Sequence, residues 1–453
     1  MHVDLKPGPP ATRVARPYVF PEVIRRGPLI AADLPGCPIG YAALLFDHGV
    51  LHEPAGKEGV LQLLFAAVRE GGERLGRDEL AFELEGMGAT WSTTVGDDFV
   101  LVATVAPTAA LVPAVRVIAE TVRRPRLAAD AVARIRDGQL SALAANWSKP
   151  GRRQEAALAR VLYQSGRQAV PLRGTVASVG SITPGFLSEY HRHHIAGTGR
   201  LVLAGDLAGI DLDMVVEAGA ALGGPMALGE AVAAGAPRSV PRPAVGRDFV
   251  VVDRPGAVGA RIALAHHVPV DAASVHAPLT VACHVLGGTT HSRLARELRD
   301  RRGQVYEVSA GLQLTSRSGV FSVRTQTGTE TAGEVVATVL QEIETLRRGG
   351  VTADEFEAAR ALLTGQFPIA YLTPQAVGIA LGCLASLGGT DDFHSRKYRE
   401  LASLDRTSVN EAAGNQLSSS DLTVVVEGEA RPLLASLHSA GLGPVRTDDE
   451  GRA

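Results

Sequence analysis

The side chains most able to do chemistry at close spacing are histidines. The stretch "YHRHHIAG" places His191, His193 and His194 within four positions, and imidazoles bind transition metals or move protons near neutral pH. That stretch contains no carboxylate or thiol to complete a metal or acid–base site, so a packing or surface role is expected. His266 and His267 are adjacent in a run that reads as a strand, where neighbours point to opposite faces and do not share a metal easily. The loop "GGTT" at 287–290, ahead of a helix, has backbone amides that could bind an anion. It lacks the Walker and dinucleotide patterns, so close approach of substrate or chain is the expected use. No G-x-S-x-G run occurs, which removes one common serine hydrolase signature. The remaining segment with a chemical question is "GVLQLLFAA" at 59–67, an apolar helix carrying a single amide, Gln62.

The composition limits what these residues can serve. At 453 residues the chain exceeds the size at which one core keeps growing, so at least two domains are expected. Hydrophobic residues make up 45% and charged residues 21%, ordinary globular values that exclude a disordered or fibrous chain. A net charge of −3 without a dense Lys/Arg tract argues against a nucleic-acid partner. Cys37, Cys283 and Cys383 are far apart and odd in number, which disfavours a disulfide framework and a thiolate zinc site and fits a reducing compartment. The N-terminus lacks a continuous apolar core, and no stretch of 18 apolar residues occurs. A cytoplasmic protein without a membrane partner is expected.

The elements that would position a site are written twice. "ADLPGCPIGYAALLFDHG" (32–49) is similar to "VDRPGAVGARIALAHHV" (252–268), with Pro35 and Gly36 recurring as Pro255 and Gly256, an offset of 220. "GDDFVLVATV" (96–105) recurs as "SGVFSVRTQT" (318–327), and "LVLAGD" (201–206) as "TVVVEGE" (423–429). Between the halves, "GEAVAAGAPRSVPRPAVG" is rich in Ala, Pro and Gly without helical period, as a linker should be. The expected organisation is an N-terminal domain at 1–228, a linker at 229–246 and a C-terminal domain at 247–453. "FVLVATVA" and "VFSVRTQTG" read as strands, and "AALVPAVRVIAETVRR" and "AGEVVATVLQEIETLRRGG" as amphipathic helices. "TADEFEAARALLTGQF" opens on Thr352 with Glu355 three residues on, a capping box. The predicted fold class is α+β, two duplicated α/β-sandwich domains with antiparallel-rich sheets packed by helices.

Three long stretches carry a family resemblance. "HEPAGKEGVLQLLFAAVREGG" with "LEGMGATWSTTVGDDFVLVATV", then "RGTVASVGSITPGFLSEYHRHHIAGTGRLVLAGDL" (173–207), and "VLGGTTHSRLARELRDRRGQVYEVSA" (285–310) together resemble the pitrilysin and insulinase type metallopeptidases, which include mitochondrial processing peptidase. The resemblance runs over about residues 20–430 and implies one half of a peptidase clamshell. Active members carry H-x-x-E-H after the opening glycine. Histidines at i and i+4 share one helix face and reach Zn²⁺ together, while a carboxylate at i+3 takes a proton from the bound water. Alignment on Gly59 puts Gln62, Phe65 and Ala66 at those three positions, and the family's third ligand falls on Ala142. An amide, a phenyl ring and two methyl groups make no zinc site. The chain alone is expected to hold no metal and no catalytic residue, its helix serving the packing of the fold.

The second half is different. In the resembled family an Arg and a Tyr seven residues apart hold substrate near the zinc, and "LRDRRGQVY" has Arg299 and Tyr306 at that spacing. "HSRLARELRDRR" reads as a helix, Gly303 as its C′ residue and "VYEVSAGLQL" as a strand, so the turn can bring both side chains to one edge. The resemblance therefore implies a non-catalytic, substrate-binding subunit. It would form a heterodimer with a zinc-bearing homologous peptidase subunit, whose Zn is the only cofactor expected, and take peptide substrates such as leader peptides of modified peptide natural products. A purely structural or peptide-binding scaffold homologue is the alternative, and an independent hydrolase using His191 to His194 is a third reading.

Overall fold

A computed structural model describes residues 18–220, 246–268, 273–314 and 319–448 of the chain. Except for Gly246, the expected linker at 229–246 lies outside the described residues. Strands β1 (Val23–Arg26), β2 (Leu29–Asp33), β3 (Ile39–Phe46), β4 (Ser92–Val95), β5 (Val100–Pro107) and β6 (Arg200–Gly205) form one sheet in the order β1-β2-β6-β3-β5-β4. Strands β7 (Asp248–Asp253), β8 (Gly259–Val268), β9 (Val305–Leu314), β10 (Gly319–Gly328), β11 (Thr423–Gly428) and β12 (Val445–Thr447) form a second, ordered β12-β7-β11-β8-β10-β9. The repeated stretches become three adjacent strands among the four inner ones of each sheet: β6, β3 and β5 in the first, β11, β8 and β10 in the second. Both sheets are mixed, antiparallel except where β2 meets β6 and where β7 meets β11 and β12.

The duplication ends at the outer strand. β1 hairpins onto β2 from the residues just before it, whereas β12 arrives from the end of the chain and pairs with β7 in parallel.

Helices of the first half are α1 (Val60–Val68), α2 (Arg77–Gly86), α3 (Leu111–Arg123), α4 (Ala129–Trp147), α5 (Arg152–Tyr163), α6 (Val176–Gly180), α7 (Pro184–His194) and α8 (Leu212–Ala220). The second half has α9 (Ala273–Gly287), α10 (Ala332–Gly349), α11 (Ala353–Ala370), α12 (Pro374–Ser386), α13 (Phe393–Ser403), α14 (Arg406–Gln416) and α15 (Ala430–Ser439). The predicted capping box is present: Glu355 N donates to Thr352 Oγ1 at 3.2 Å and Thr352 N to the Glu355 carboxylate at 2.9 Å.

Strand β3 reads as a continuous apolar run because both its faces are covered. Ala42, Leu44 and Phe46 join Val100 and Val102 in the core under α1 and α3. Tyr41, Ala43 and Leu45 join Leu101 and Ala103 on the opposite face, where the covering residues Val377, Leu381 and Leu384 come from α12 of the second half. Gly378 allows that seat, since a β-carbon there would stand 2.0 Å from the Tyr41 ring. The exchange is reciprocal. Helix α5 of the first half lays Ala157, Leu158 and Leu162 on Val250, Val252, Ala263 and Val425 of the second sheet. Each half lends the other a helix, and the apolar area buried that way locks the halves together. Among the described residues no single helix is long and apolar enough to cross a membrane; the apolar pair α11 and α12 bends by 102° between its members, and α12 is largely buried against the first sheet.

Candidate functional site

Helix α1 begins at Gly59, whose φ of +92° is left-handed and whose missing β-carbon would lie 2.4 Å from the Arg173 carbonyl oxygen. No other residue fits that start. The free amides of the first turn are satisfied from below by Glu53. Its carboxylate accepts Gly59 N at 3.0 Å, Leu61 N at 2.9 Å and Arg167 Nε at 2.8 Å. The remaining guanidinium nitrogens of Arg167 donate to the carbonyls of Val170, Pro171 and Leu172. Glu53 has no exposed side-chain area and Arg167 only 7%. Burial pushes the Glu53 carboxyl up, and Arg167 and the two amides oppose that. The buried carboxylate of Glu53 is thus consumed by capping.

The four positions that would hold zinc do not fit it. Phe65 is 2% exposed and packs against Phe46, ring centroids 5.9 Å apart, inside the first core. Gln62 is half-buried, and Ala66 and Ala142 are exposed. Helix α4 lies alongside α1, tied to its start by Gln139 Nε2, which donates to the carbonyls of Arg173 at 3.1 Å and Gly59 at 3.4 Å. The helix pair is in place, but it presents one amide and two methyl groups where zinc needs imidazole nitrogens and a carboxylate. Among the described residues no group of three or more His, Cys, Asp and Glu side chains converges to hold a metal ion.

The histidines disperse. His191 is buried, with Nε2 hydrogen-bonded to the Val122 carbonyl at 2.7 Å, and burial lowers its pKa. His193 Nδ1 engages the Glu189 carbonyl at 2.8 Å. His194 instead stacks on His48 at 4.6 Å, and His48 stacks on His52 at 5.1 Å while its Nε2 meets the Tyr190 hydroxyl at 2.7 Å. Stacked rings turn faces, not lone pairs, towards each other. Burial, then His194 and His52, bring the His48 pKa down to about 3, so His48 is neutral at pH 7. His266 and His267 also part: His266 packs against Phe321 in the helix-side core, and His267 Nε2 bonds the Leu162 carbonyl of α5 on the other face. The arrangement gives no support to the reading in which these residues run a hydrolase.

Arg299 lies in a π-helix, Ala295–Arg301, a form often found at functional sites. Its entrance is held by Arg293, whose Nε and Nη2 grip the Glu355 carboxylate of α11 at 2.8 and 2.6 Å. Burial pushes the Glu355 carboxyl up, but Arg293 and the Thr352 amide outweigh it and bring the pKa to about 2. The π-helix closes where Gly303 N donates to the Arg299 carbonyl and Gln304 N to the Leu298 carbonyl, Gly303 turning with φ of +62°. Strand β9 follows at the edge of the second sheet. Arg299 is oriented by Nη2 to the Thr290 carbonyl at 2.7 Å and by Nε to Asp300 Oδ1 at 2.8 Å. The bond to Asp300, and more weakly the proximity of Tyr306, raise its proton affinity. Tyr306 is 85% exposed, and no hydrogen-bond partner meets its hydroxyl among the described residues. The end of the π-helix and the start of the edge strand thus offer a half-committed guanidinium and an exposed phenol within electrostatic reach of each other. The glycines of "GGTT" serve chain approach, since a β-carbon on Gly287 would stand 2.7 Å from Ala310 N.

Tyr306 also borders a groove of about 650 Å³ walled by Pro150, the turn Arg254–Arg261, Gln304, Gln326 and Thr327, with Glu427 at its floor. Sequence reasoning singled out neither this groove nor the Glu53–Arg167 pair. Glu53 sits six residues before Gly59 and its partner is 114 residues away, a separation that no local pattern signals.

Comparison with known proteins agrees with this geometry. The model described as Insulinase (Peptidase family M16) matches residues 31–176, and the one described as Peptidase M16 inactive domain matches residues 182–363. Over 87 residues the chain is 30% identical to YmxG, an uncharacterized zinc protease of Bacillus subtilis, covering 19% of this chain and 21% of that protein. It is 34% identical over 87 residues to an uncharacterized zinc protease of Mycobacterium tuberculosis, covering 19% and 20%. The match spans about a fifth of the length of these curated relatives. Among solved structures, a peptidase M16 inactive domain from Pseudomonas fluorescens superposes with a TM-score of 0.80 at 21% identity, covering 90% of this chain and 98% of that one. A protease from Helicobacter pylori gives 0.77 at 16% identity, covering 90% and 100%. Both share the fold.

Proposed function

The chain belongs to the insulinase-type M16 peptidase family and lacks its zinc motif, and from that premise we propose that it is the non-catalytic, substrate-binding subunit of a heterodimeric zinc metallopeptidase. The partner is a homologue with an intact H-x-x-E-H helix, and the zinc belongs to that partner. The observation that carries the reading is an asymmetry within one molecule. The metal positions hold Gln62, Phe65, Ala66 and Ala142, while Arg299 near the end of the π-helix and Tyr306 at the start of the edge strand stay close, with donors to spare.

This chain's residues would bind and orient. With Nε and Nη2 engaged by Asp300 and the Thr290 carbonyl, the Arg299 fork keeps Nη1 for a peptide carbonyl. The Tyr306 hydroxyl donates to the oxyanion that forms on the scissile carbonyl. Holding the substrate accounts for keeping a subunit without metal, because a positioned peptide reacts far faster than a loose one. The substrate class is an extended peptide, with leader segments of modified peptide natural products as the proposed context and the cytoplasm as the proposed compartment.

The test mixes the purified chain with an H-x-x-E-H homologue and follows cleavage of a quenched fluorescent peptide. Cleavage only in the mixture is expected, with Arg299→Ala and Tyr306→Phe slowing turnover while the complex still forms on a sizing column. If both variants cleave like the parent mixture, the scaffold reading replaces this one.

A further inference from the structure

We infer that the groove between Tyr306 and the turn Arg254–Arg261 is a subsite for a carboxylate of a bound peptide, with Arg261 as the recognising cation. The inference rests on the reading that this chain binds peptide. Three charged residues line the groove: Arg254, Arg261 and Glu427. Two of them are committed to each other and to the fold. Glu427, 2% exposed, accepts Gly151 N at 3.0 Å, Gln154 N at 3.1 Å and Arg254 Nη1 at 3.2 Å. Its carboxylate caps the start of α5 and fixes the exchanged helix to the second sheet. The other terminal nitrogen of Arg254 donates to the Ser148 carbonyl at 3.1 Å.

Arg261 is left over. It stands opposite Glu427 on the neighbouring strand, yet its guanidinium has no hydrogen-bond or ion-pair partner among the described residues. The residue is exposed, and its side chain lies over Gly151, where a β-carbon would meet Arg261 Cδ at 3.3 Å. That glycine, at φ of +87°, leaves room for the arginine to lie along the groove wall. The surroundings are built for a peptide more than for a free ion. Val258 is 98% exposed and Tyr306 85% exposed, giving apolar surface at the rim. Gln326 and Thr327 supply polar groups along the wall. A groove of about 650 Å³ is within the range of small-ligand sites. Its accessible charge is positive, so a carboxylate with apolar neighbours is the complementary group, gripped by paired N–H donors.

An Asp or Glu side chain and a peptide C-terminus share this chemistry, and the experiment separates them. Four fluorescein-labelled nonapeptides of Ala and Leu, with a central Glu or Gln and a free or amidated C-terminus, are titrated with the chain alone by fluorescence polarisation. At least one acidic form is expected to bind about tenfold tighter than the Gln, amidated peptide. Whichever carboxylate confers the gain identifies the source. Arg261→Gln should abolish the difference and Arg261→Lys retain part of it, with unchanged circular dichroism in both. Equal binding of all four peptides, no saturable binding, or discrimination that survives Arg261→Gln would overturn the inference. The assay needs neither zinc nor partner, so a chain that discriminates here but yields no cleavage in the mixture keeps this subsite and loses the subunit role.

Discussion

Replacing Glu53 with Gln keeps the size of the side chain and removes the charge that Arg167 faces. In the native chain that carboxylate carries three short bonds, two from the first turn of α1 and one from Arg167, with no exposed area of its own. Gln can still accept one or two of them, but it leaves a guanidinium that is 7% exposed without a counter-charge. Breaking one partner of a buried pair costs about 3–5 kcal/mol, mostly the stranded charge. For a unit of roughly 200 residues each kcal/mol moves the midpoint by about 2–4 °C, so a fall of roughly 6–20 °C is expected. Tryptophan fluorescence is a selective probe, because both tryptophans, Trp91 and Trp147, lie in the first half. The double variant Glu53→Gln with Arg167→Met should recover at least about 1 kcal/mol of the loss, since an apolar replacement removes the stranded charge. A single variant melting within about 2 °C of the parent, or a double variant worse than the sum of the two singles, would refute the idea that this pair exists to close the helix.

Four further outcomes follow from the same geometry. Phe65→Glu should destabilise the first half by roughly 3–5 kcal/mol, because it deletes a core ring and buries a carboxylate, whereas Gln62→His and Ala66→His should each stay within about 0.5–1 kcal/mol; similar melting of all three would show that Phe65 is not packed as described. In the two-chain mixture Tyr306→Phe should lower kcat by about 10²-fold with KM moving less, a split read from initial rates; a change confined to KM would assign Tyr306 to ground-state binding only. Acidification should unfold the first half more readily. The native pKa of His48 is about 3 against an ordinary 6.5, so the unfolded chain binds the proton first. Its stabilisation is full above about pH 6.5 and falls as pH drops below that, by about 2 kcal/mol at pH 5. Urea titrations of His48→Gln at pH 7 and pH 5 should show that much less loss than the parent, and equal losses would remove His48 from the account. Finally, Gly378→Leu should loosen the seat of α12 on Tyr41, where even a β-carbon meets the ring at 2.0 Å, and expose both halves to limited proteolysis.

What could be read from the chain in order was whatever repeats or alternates locally. The duplicated stretches foretold two α+β units, and they do form adjacent inner strands of two sheets. Hydrophobic period found α3 and α10 but not α4, the longest helix, and Thr352 with Glu355 marked where α11 starts, because capping is settled within four residues. The loss of donors at 62, 65, 66 and 142 was equally visible, since coordination chemistry depends on side-chain type before it depends on position. Other features had no local signal. The doubly apolar strand β3 did not say that its second face waits for α12, some 330 residues further on. Glu53 and Glu427 look like surface acids in the sequence, yet each closes a helix and meets an arginine far away in the chain. The run of three histidines, expected to pack or face solvent, does not say where each ring goes; helical rotation sends His191 into the core and His194 onto His48. Residue type and spacing determine which chemistry is available; only packing across the chain decides which polar groups are spent on the fold and which, such as the Tyr306 hydroxyl and the Arg261 guanidinium, stay exposed.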